Sequence, residues 1–207
     1  MHLVLPRFVQ GLRLRMTKKG KLVILEGIDG CGKTTHAKLV TQWLTANGHS
    51  VLHTKEPSRG PIGLLLRDYL KKETQPLIDA LLFTADRAEH VEKEINPAVE
   101  EGKIVVCERY YFSTIAYQMA QGLDKKWLTE LNAFATKPDL VILLDLNPEV
   151  SVKRTSTNEK FETLDFLKKV NHNYKLLAKE NGFAVVDASK GKSEVREEIR
   201  SIVQKII

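Results

Sequence analysis

Three glycines, one lysine and two threonines lie together in one short segment, Gly27-Ile28-Asp29-Gly30-Cys31-Gly32-Lys33-Thr34-Thr35. Their spacing fits the pattern G-x-x-x-x-G-K-[ST], whose glycines let successive backbone N–H groups point inward around a phosphate. In that pattern the ammonium of Lys33 reaches the β- and γ-phosphates of a nucleotide, and the hydroxyl of Thr34 ligates Mg²⁺. The segment therefore predicts a nucleotide-binding loop.

The sequence on either side provides the context that this pattern requires. The apolar run Leu22-Val23-Ile24-Leu25 predicts a buried strand before the loop, and Ala37, Val40 and Leu44 have the spacing of a helix after it. A chance glycine-rich turn, the alternative interpretation, would not need both flanking elements. A phosphate at this turn would also meet the positive N-terminus of the helix.

Apolar segments alternate with helical ones along the rest of the chain. Strands are predicted at 50–54, 103–107, 140–145 and 183–187, and helices at 33–47, 62–71, 76–101, 113–120, 124–136, 148–154, 164–181 and 193–207, the third interrupted near Asn96-Pro97. Five strands that alternate with helices predict an α/β fold with a five-stranded parallel sheet and helices on both faces. We expect a single domain over residues 20–207.

Ligands of such sheets bind at the carboxyl ends of the strands, and polar residues follow several of the predicted strands. Lys55-Glu56 come after the second strand, Glu108-Arg109 after the third and Asp145 after the fourth. The basic residues among them suit a ligand that is itself anionic. For Asp145 two roles stay open, an outer partner of a magnesium ion and a helix cap.

The composition predicts a globular protein without a nucleic-acid-binding surface. The net charge is +6, but six of the 32 basic residues lie within residues 1–21, which contain no acidic residue. The remainder is neutral, so the charge indicates a basic leader and not a surface for nucleic acid. No apolar run approaches the roughly 18 residues of a spanning helix, so we expect no membrane partner and a cytoplasmic location.

Residues 1–19 differ from the rest of the chain and are predicted to form a loosely ordered basic leader. A transit peptide would be longer and richer in hydroxyl residues than this segment, where Thr17 is the single example. Arg7 interrupts the apolar stretch that a secretory signal needs. An extension, or an upstream start preceding Met16, is the favoured interpretation.

The two cysteines, Cys31 and Cys107, are too few for a disulfide framework and lack the spacing of a metal site. Both lie near the predicted nucleotide site, so a redox role stays open. Two small side chains that fit their surroundings are the favoured interpretation.

The glycine-rich loop predicts nucleotide binding and no particular reaction. A switch GTPase would carry a guanine-reading Asn-Lys-x-Asp after a strand, and this sequence has none. A motor or transporter ATPase would need more chain for its coupled work. The remaining interpretation is a small kinase that phosphorylates an anionic acceptor.

Five motifs, in order along the chain, resemble those of the thymidylate kinase family. They correspond to its phosphate-binding loop, its Arg-Glu-Pro motif, its pyrimidine-binding helix, its Asp-Arg-Tyr motif and its fourth strand. The similar segments are Leu25–Thr35, Lys55-Glu56-Pro57 with Pro61-Ile62-Gly63, Leu82–Ala88, Glu108-Arg109-Tyr110 with Ser113 and Ala116-Tyr117-Gln118, and Pro138-Asp139-Leu140 with Asp145–Pro148. The resemblance extends from about residue 21 to the end of the chain.

This resemblance implies a P-loop NTPase fold of the nucleoside monophosphate kinase type. It implies phosphorylation of dTMP to dTDP with ATP and Mg²⁺. The enzyme would be a homodimer, and its binding partner would be the small-molecule substrate dTMP. The accepting oxygen belongs to a phosphate that is already anionic, so the reaction needs positioning and charge neutralisation but no general base. The alternatives are a kinase for UMP, CMP or dUMP and, in another class, a slowly hydrolysing nucleotide-binding regulator.

The resemblance also implies roles for individual residues. Arg109 would lie between the two phosphates, Glu108 would hold the magnesium shell directly or through water, and Arg154 would lie against the adenine. Tyr117 would lie beside the sugar. The implied acceptor pocket comprises Asp29, Lys55, Glu56, Phe83, Arg87, Arg109, Ser113, Thr114, Tyr117 and Gln118.

Phe83 and Arg87 are four residues apart and so share one face of a helix. The ring would stack on a base while the guanidinium donates to its carbonyl edge. The alternative is a core phenylalanine and a surface arginine paired with a carboxylate, and the family pattern favours the pocket. His90, one turn further along, is predicted to be a surface residue.

Glu108 and Lys160 are two of the positions that depart from the family's motifs. Glu108 stands where the family has aspartate, which adds one methylene group. The predicted lid at 155–162 has lysine, Lys160, where the family's lid pattern has arginine, and the phosphate loop offers no arginine. Lysine keeps the charge without the planar fork. Lys160 is predicted to neutralise the transferring phosphoryl group, with Arg154 as the rival donor.

Overall fold

A computed structural model of the protein describes residues 19–72, 75–155 and 163–207. Apart from Lys19, the predicted leader lies outside the described residues. The predicted lid lies outside them too, apart from Thr155, and the prediction for Lys160 therefore falls on an undescribed residue.

The described residues form one parallel sheet of five strands, as predicted. The strands are β1 (Lys21–Glu26), β2 (Val51–Lys55), β3 (Ile104–Glu108), β4 (Leu140–Asp145) and β5 (Ala184–Asp187), in the order β2-β3-β1-β4-β5. All four strand pairs are parallel. The central β1 and β3 are almost wholly buried, as expected for apolar strands covered on both faces.

Helices cover both faces of the sheet. They are α1 (Lys33–Ala46), α2 (Pro61–Leu70), α3 (Pro76–His90), α4 (Asn96–Glu100), α5 (Tyr111–Ala120), α6 (Lys125–Leu131), α7 (Pro148–Arg154), α8 (Leu164–Asn181) and α9 (Lys192–Val203). Helices α1 and α9 pack together on one face, and α5 and α8 pack together on the other. Within the described segments, every helix is too short or too polar to cross a membrane.

The alternation of side chains along the strands determines which residues meet which helices. Leu25 of β1 is in register with Glu108 of β3, so Glu26 points to the opposite face from Glu108. Glu108 accordingly contacts α1, and Glu26 contacts α5 and α8. The two carboxylates at this end of the sheet thus lie on opposite faces of it and contact different helices.

The predicted helix over 76–101 is interrupted near Asn96-Pro97, as predicted, and the interruption lies directly before these residues. A π-helical turn, Val91–Ile95, connects α3 to α4. The N–H of Asn96 donates to the carbonyl of Val91, five residues earlier. Pro97 then falls within the first turn of α4, where its missing N–H breaks no helical hydrogen bond. The wider turn therefore lets the chain continue in a helical path through the proline.

Candidate active site

The glycine-rich loop connects β1 to α1 and holds the side chain of Lys33 above its own carbonyls. Nζ of Lys33 donates to the carbonyl oxygens of Gly27 and Ile28, both at 2.9 Å. Gly27 has a φ of 143° and lies 2.7 Å, measured from an added Cβ, from the carbonyl of Leu144, so a side chain would collide there. No side chain in the described residues caps α1, which leaves N–H groups at its first turn for a ligand.

Thr34 and Glu108 bring two oxygen ligands together beside the loop. Oγ1 of Thr34 donates a hydrogen bond to Oε2 of Glu108. Burial raises the pKa of Glu108, but hydrogen bonds from His53 and Thr34 and the charge of Lys55 outweigh this and hold the pKa below its usual value. A hydroxyl beside an ionised carboxylate is a donor set that fits Mg²⁺, which prefers one or two protein oxygens together with phosphates.

A cavity of about 160 Å³ opens beside the loop at the carboxyl ends of the strands. Seven of the ten predicted acceptor residues line it, together with two that sequence reasoning missed, Pro57 and Leu70. Lys55, Glu56 and Arg87 are not among its lining residues. The seven predicted lining residues are Asp29, Phe83, Arg109, Ser113, Thr114, Tyr117 and Gln118.

Arg109 lies between the glycine-rich loop and this cavity. Its Nη2 is 2.6 Å from Oδ1 of Asp29, and its Nη1 is 3.4 Å from the carbonyl oxygen of Gly27. Nη1 also donates to Oγ of Ser113 at 3.2 Å. Burial raises the pKa of Asp29, but the charges of Arg109 and Lys33 more than offset this and hold the pKa well below its usual value. The guanidinium therefore has an ionised partner and is fixed beside the cavity.

Tyr117 packs under this arginine. Its ring lies 5.2 Å from the guanidinium carbon of Arg109, and its hydroxyl donates to Oδ2 of Asp29 at 3.1 Å. The aromatic face and the cation attract each other, and the hydroxyl ties the ring to the loop. A flat ring with few degrees of freedom thus forms one wall of the cavity.

Arg87 is buried behind the cavity wall, only 1% exposed. Nη2 contacts Oε2 of Glu56 at 2.6 Å and Oγ1 of Thr114 at 3.0 Å, and Nη1 donates to Oδ1 of Asn132 at 2.5 Å. The pairing with a carboxylate that we considered as an alternative is present, but not at the surface. The predicted contact of Arg87 with a base stays a prediction.

The prediction that His90 is a surface residue is wrong, because the residue is 1% exposed. Its Nε2 lies 2.7 Å from Oγ1 of Thr54, and its Nδ1 lies 3.2 Å from Oε1 of Glu56. These two polar partners at the end of β2 satisfy the imidazole without solvent. The polar side chain suggested exposure, and nothing in the sequence indicated burial because the partners of His90 are distant along the chain.

Gln118 has a buried acceptor at the cavity. Its Nε2 donates to Gln121 at 3.2 Å, while its Oε1 is buried and has no hydrogen-bond partner among the described residues. A buried polar atom without a partner costs free energy, about 1–3 kcal/mol. Because Gln118 lines the cavity, this oxygen is a candidate acceptor for a hydrogen-bond donor of a ligand.

Glu26 is a buried residue of the site that sequence reasoning missed. Its Oε1 accepts from the N–H of Tyr110 at 2.9 Å, and its Oε2 accepts from Ser113 Oγ at 2.6 Å and Tyr174 OH at 3.0 Å. Burial raises the pKa of Glu26, and these hydrogen bonds oppose the rise. A glutamate at the end of an apolar strand, directly before the loop, was the available signal. It fixes the start of α5 relative to β1.

The far side of the loop contacts α7. Nη1 of Arg154 donates to the carbonyl of Gly30 at 3.3 Å, and Oγ of Ser151 donates to the carbonyl of Asp29 at 2.5 Å. The cap of α7 is Asn147, whose side chain accepts from the N–H of Glu149, and not Asp145, the residue considered for this role.

Asp145 instead forms an ion pair with Lys175 at 3.0 Å. This leaves its carboxylate tied to α8, on the side of the sheet away from α1.

Comparisons with known proteins agree with this geometry. The family model described as thymidylate kinase matches residues 25–199. A protein of Pyrococcus abyssi named probable thymidylate kinase is 44% identical over 200 residues, which cover 90% of this chain and 97% of that protein. One of Pyrococcus horikoshii with the same name is 47% identical over 173 residues, 77% of this chain and 83% of that protein. The P-loop geometry, the cavity beside it and these similarities together show that the chain belongs to the thymidylate kinase family.

Proposed function

We propose that the chain transfers the γ-phosphoryl group of ATP to dTMP, giving ADP and dTDP. The position of Arg109 carries this proposal, because its guanidinium contacts the phosphate loop at Gly27 and also lines the acceptor cavity. A cation between two phosphates reduces their repulsion and stabilises the charge that spreads over the transferred group. An arginine that faced the loop alone would support nucleotide binding without an acceptor.

On the donor side, Lys33 would exchange its two loop carbonyls for phosphate oxygens. Its ammonium is already held above the loop, so it needs only a short movement to reach a triphosphate. Thr34 and Glu108 would hold Mg²⁺, which supplies charge neutralisation when it is bound. Since the attacking oxygen is already anionic, these residues position and neutralise, and none of them has to remove a proton.

On the acceptor side, Phe83 and Gln118 would recognise the base. Phe83 offers an aromatic face for stacking, and the unpartnered Oε1 of Gln118 would accept from the N3–H of thymine. Cytosine has an acceptor at N3, so it would leave two acceptors facing each other. Arg87 remains our predicted contact for a carbonyl edge through its Nε, which is buried and unpartnered among the described residues.

The homodimer implied by the sequence would use the outer faces of α2 and α3. These two helices pack against each other and expose five large apolar side chains, which are Leu64, Leu65, Leu77, Ile78 and Leu81. Adjacent exposed apolar residues of this number are typical of an interface between chains. Light scattering coupled to size exclusion tests this: Leu65→Glu with Leu77→Glu should halve the mass, and Leu176→Glu, exposed elsewhere, should not.

Steady-state transfer from ATP to a panel of monophosphates tests the main proposal. We expect kcat/KM for dTMP to exceed that for dCMP by at least about tenfold, which is the effect expected from one buried hydrogen bond. Gln118→Leu should remove most of this difference. Turnover of CMP or UMP in preference to dTMP would favour the alternative kinases, and hydrolysis that needs a protein partner would favour the regulator.

A further inference from the structure

The carboxylate of Glu108 is held by residues on two different elements. Oε2 accepts from Oγ1 of Thr34 on α1, and Oε1 lies 2.8 Å from Nε2 of His53 on β2. Glu108 itself is 5% exposed, so little water competes for either oxygen. The two hydrogen bonds fix both the position and the rotation of the carboxylate.

The register of the sheet explains why His53 reaches this group. In the parallel pairing of β2 with β3, Lys55 is opposite Glu108 and His53 is opposite Val106. Because alternate residues of a strand share a face, the side chains of His53, Lys55 and Glu108 all lie on the side covered by α1. A ring two positions earlier on the neighbouring strand therefore lies beside the carboxylate.

The length of the glutamate side chain is what permits both contacts. An aspartate at this position would be shorter by one C–C bond, about 1.5 Å. If its carboxylate kept the contact with Thr34, it would lie too far from His53 for a hydrogen bond. The longer side chain also has one more rotatable bond, which without a second partner would let the carboxylate move away from the loop.

We infer that His53 is a positioning residue for the magnesium site. It holds one oxygen of Glu108 so that the other oxygen stays beside the Thr34 hydroxyl. The inference rests on the proposed Mg²⁺-dependent transfer and adds a residue to it. The Thr34 hydroxyl donates a hydrogen bond to Glu108, so its oxygen keeps its lone pairs for a cation. Hydrogen bonds from outside the coordination shell commonly affect metal affinity in this way.

Metal binding without turnover tests the inference. Mn²⁺ binding to the full chain, with a non-hydrolysable ATP analogue and no acceptor, is followed by electron paramagnetic resonance. His53→Phe keeps a flat ring but removes the N–H, and we expect about tenfold weaker Mn²⁺ binding. His53→Gln restores a donor and should recover most of the affinity. His172→Phe, at an exposed histidine on α8, is the matched control and should bind as the wild type.

The same substitution in the Glu108→Asp background measures whether the two residues act as a pair. In that background His53→Phe should change the Mn²⁺ affinity by less than about twofold, because the contact is already lost. An effect of His53→Phe that is equal in both backgrounds overturns the inference, and so does unchanged affinity in the single variant. A wild type that binds no Mn²⁺ with the nucleotide analogue overturns the proposed metal site as well.

A measurement on the metal-free wild type does not depend on the folding of any His53 variant. Long-range ¹H–¹⁵N spectra should show the His53 ring protonated at Nε2, since an ionised carboxylate can only accept. That resonance should move in Glu108→Asp. A ring that carries its proton on Nδ1 alone would contradict the assignment.

Discussion

Nη2 of Arg87 lies 2.6 Å from Oε2 of Glu56, and the side chains of both residues are at most 3% exposed. The pair connects α3 to the segment that follows β2, and the two Nη groups of Arg87 also reach Thr114 on α5 and Asn132 beyond α6. One guanidinium therefore joins four parts of the chain behind the acceptor cavity. A residue predicted for ligand contact also has a structural role.

Arg87→Ala should destabilise the protein by about 3–5 kcal/mol, because it leaves the Glu56 carboxylate buried without its partner. Urea unfolding followed by circular dichroism measures the change. Arg59→Ala, at an exposed arginine near the same loop, is the control and should cost less than about 0.5 kcal/mol. A loss below about 1 kcal/mol for Arg87→Ala would contradict the structural role.

Lys33→Ala should abolish transfer and leave the fold intact. The variant loses the charge that bridges the β- and γ-phosphates, and we expect kcat below about a hundredth of the wild-type value, a loss of at least ~2.7 kcal/mol of transition-state stabilisation. Lys38→Ala, an exposed lysine on the same helix, should keep full activity. Turnover of Lys33→Ala above that limit would remove Lys33 from the proposed mechanism.

Tyr117 should make the enzyme prefer deoxyribose acceptors. Its ring is held against Arg109 and Asp29, and we expect it to leave no room for a 2′-hydroxyl. The ratio of kcat/KM for dTMP to that for its ribose counterpart measures the preference. Tyr117→Phe should keep this preference and Tyr117→Ala should reduce it. Equal kcat/KM values for the two acceptors in the wild type would refute the assignment.

The cation for the transferring phosphoryl group is predicted to be Lys160, which lies outside the described residues, with Arg154 as its rival. Nη1 of Arg154 already contacts the glycine-rich loop at Gly30. Lys160→Ala should lower kcat far more than it weakens ATP binding, and Lys160→Arg should restore or raise kcat. Normal turnover of Lys160→Ala together with an inactive Arg154→Ala would transfer the role to Arg154.

Asp29 should contribute a pH-dependent part of the stability. The folded state lowers its pKa, so its ion pair with Arg109 stabilises the protein fully above the ordinary pKa of 3.8 and less as the pH falls through the folded-state pKa. The difference in unfolding free energy between the wild type and Asp29→Asn should therefore be constant near neutral pH and shrink below about pH 4. A difference that stays constant down to pH 2.5 would mean that Asp29 is not held ionised by its neighbours.

Elements whose signals are local could be predicted from the sequence. The bounds of β4, α7 and α8 match those predicted, because each has a continuous apolar or periodic pattern between clear ends. The π-helical turn at Val91–Ile95 had no such signal, since the apolar spacing around it fits an ordinary helix. Pro97 correctly indicated an irregularity near Asn96-Pro97, but not that it would be a π-helical turn.

The site was predictable where it lies within motifs and hidden where it depends on packing. Phe83 and Tyr117 belong to recognisable segments and do line the cavity. Leu70, His53 and Asn132 reach the site only through the arrangement of helices and the register of strands. A single histidine in a short strand has no pattern that indicates a carboxylate 55 residues away.

Arg109 has a φ of 64°, and it is the single non-glycine residue with positive φ among those described. Its N–H donates to the carbonyl of Leu25 at 2.9 Å, which holds this left-handed turn against the end of β1. Such a backbone costs roughly 1 kcal/mol or more for a residue with a Cβ. The strained turn aims the side chain away from the path of β3, and the guanidinium is therefore oriented before any nucleotide arrives. The entropy of orienting this cation is lost once, when the chain folds, and need not be lost again in each catalytic cycle.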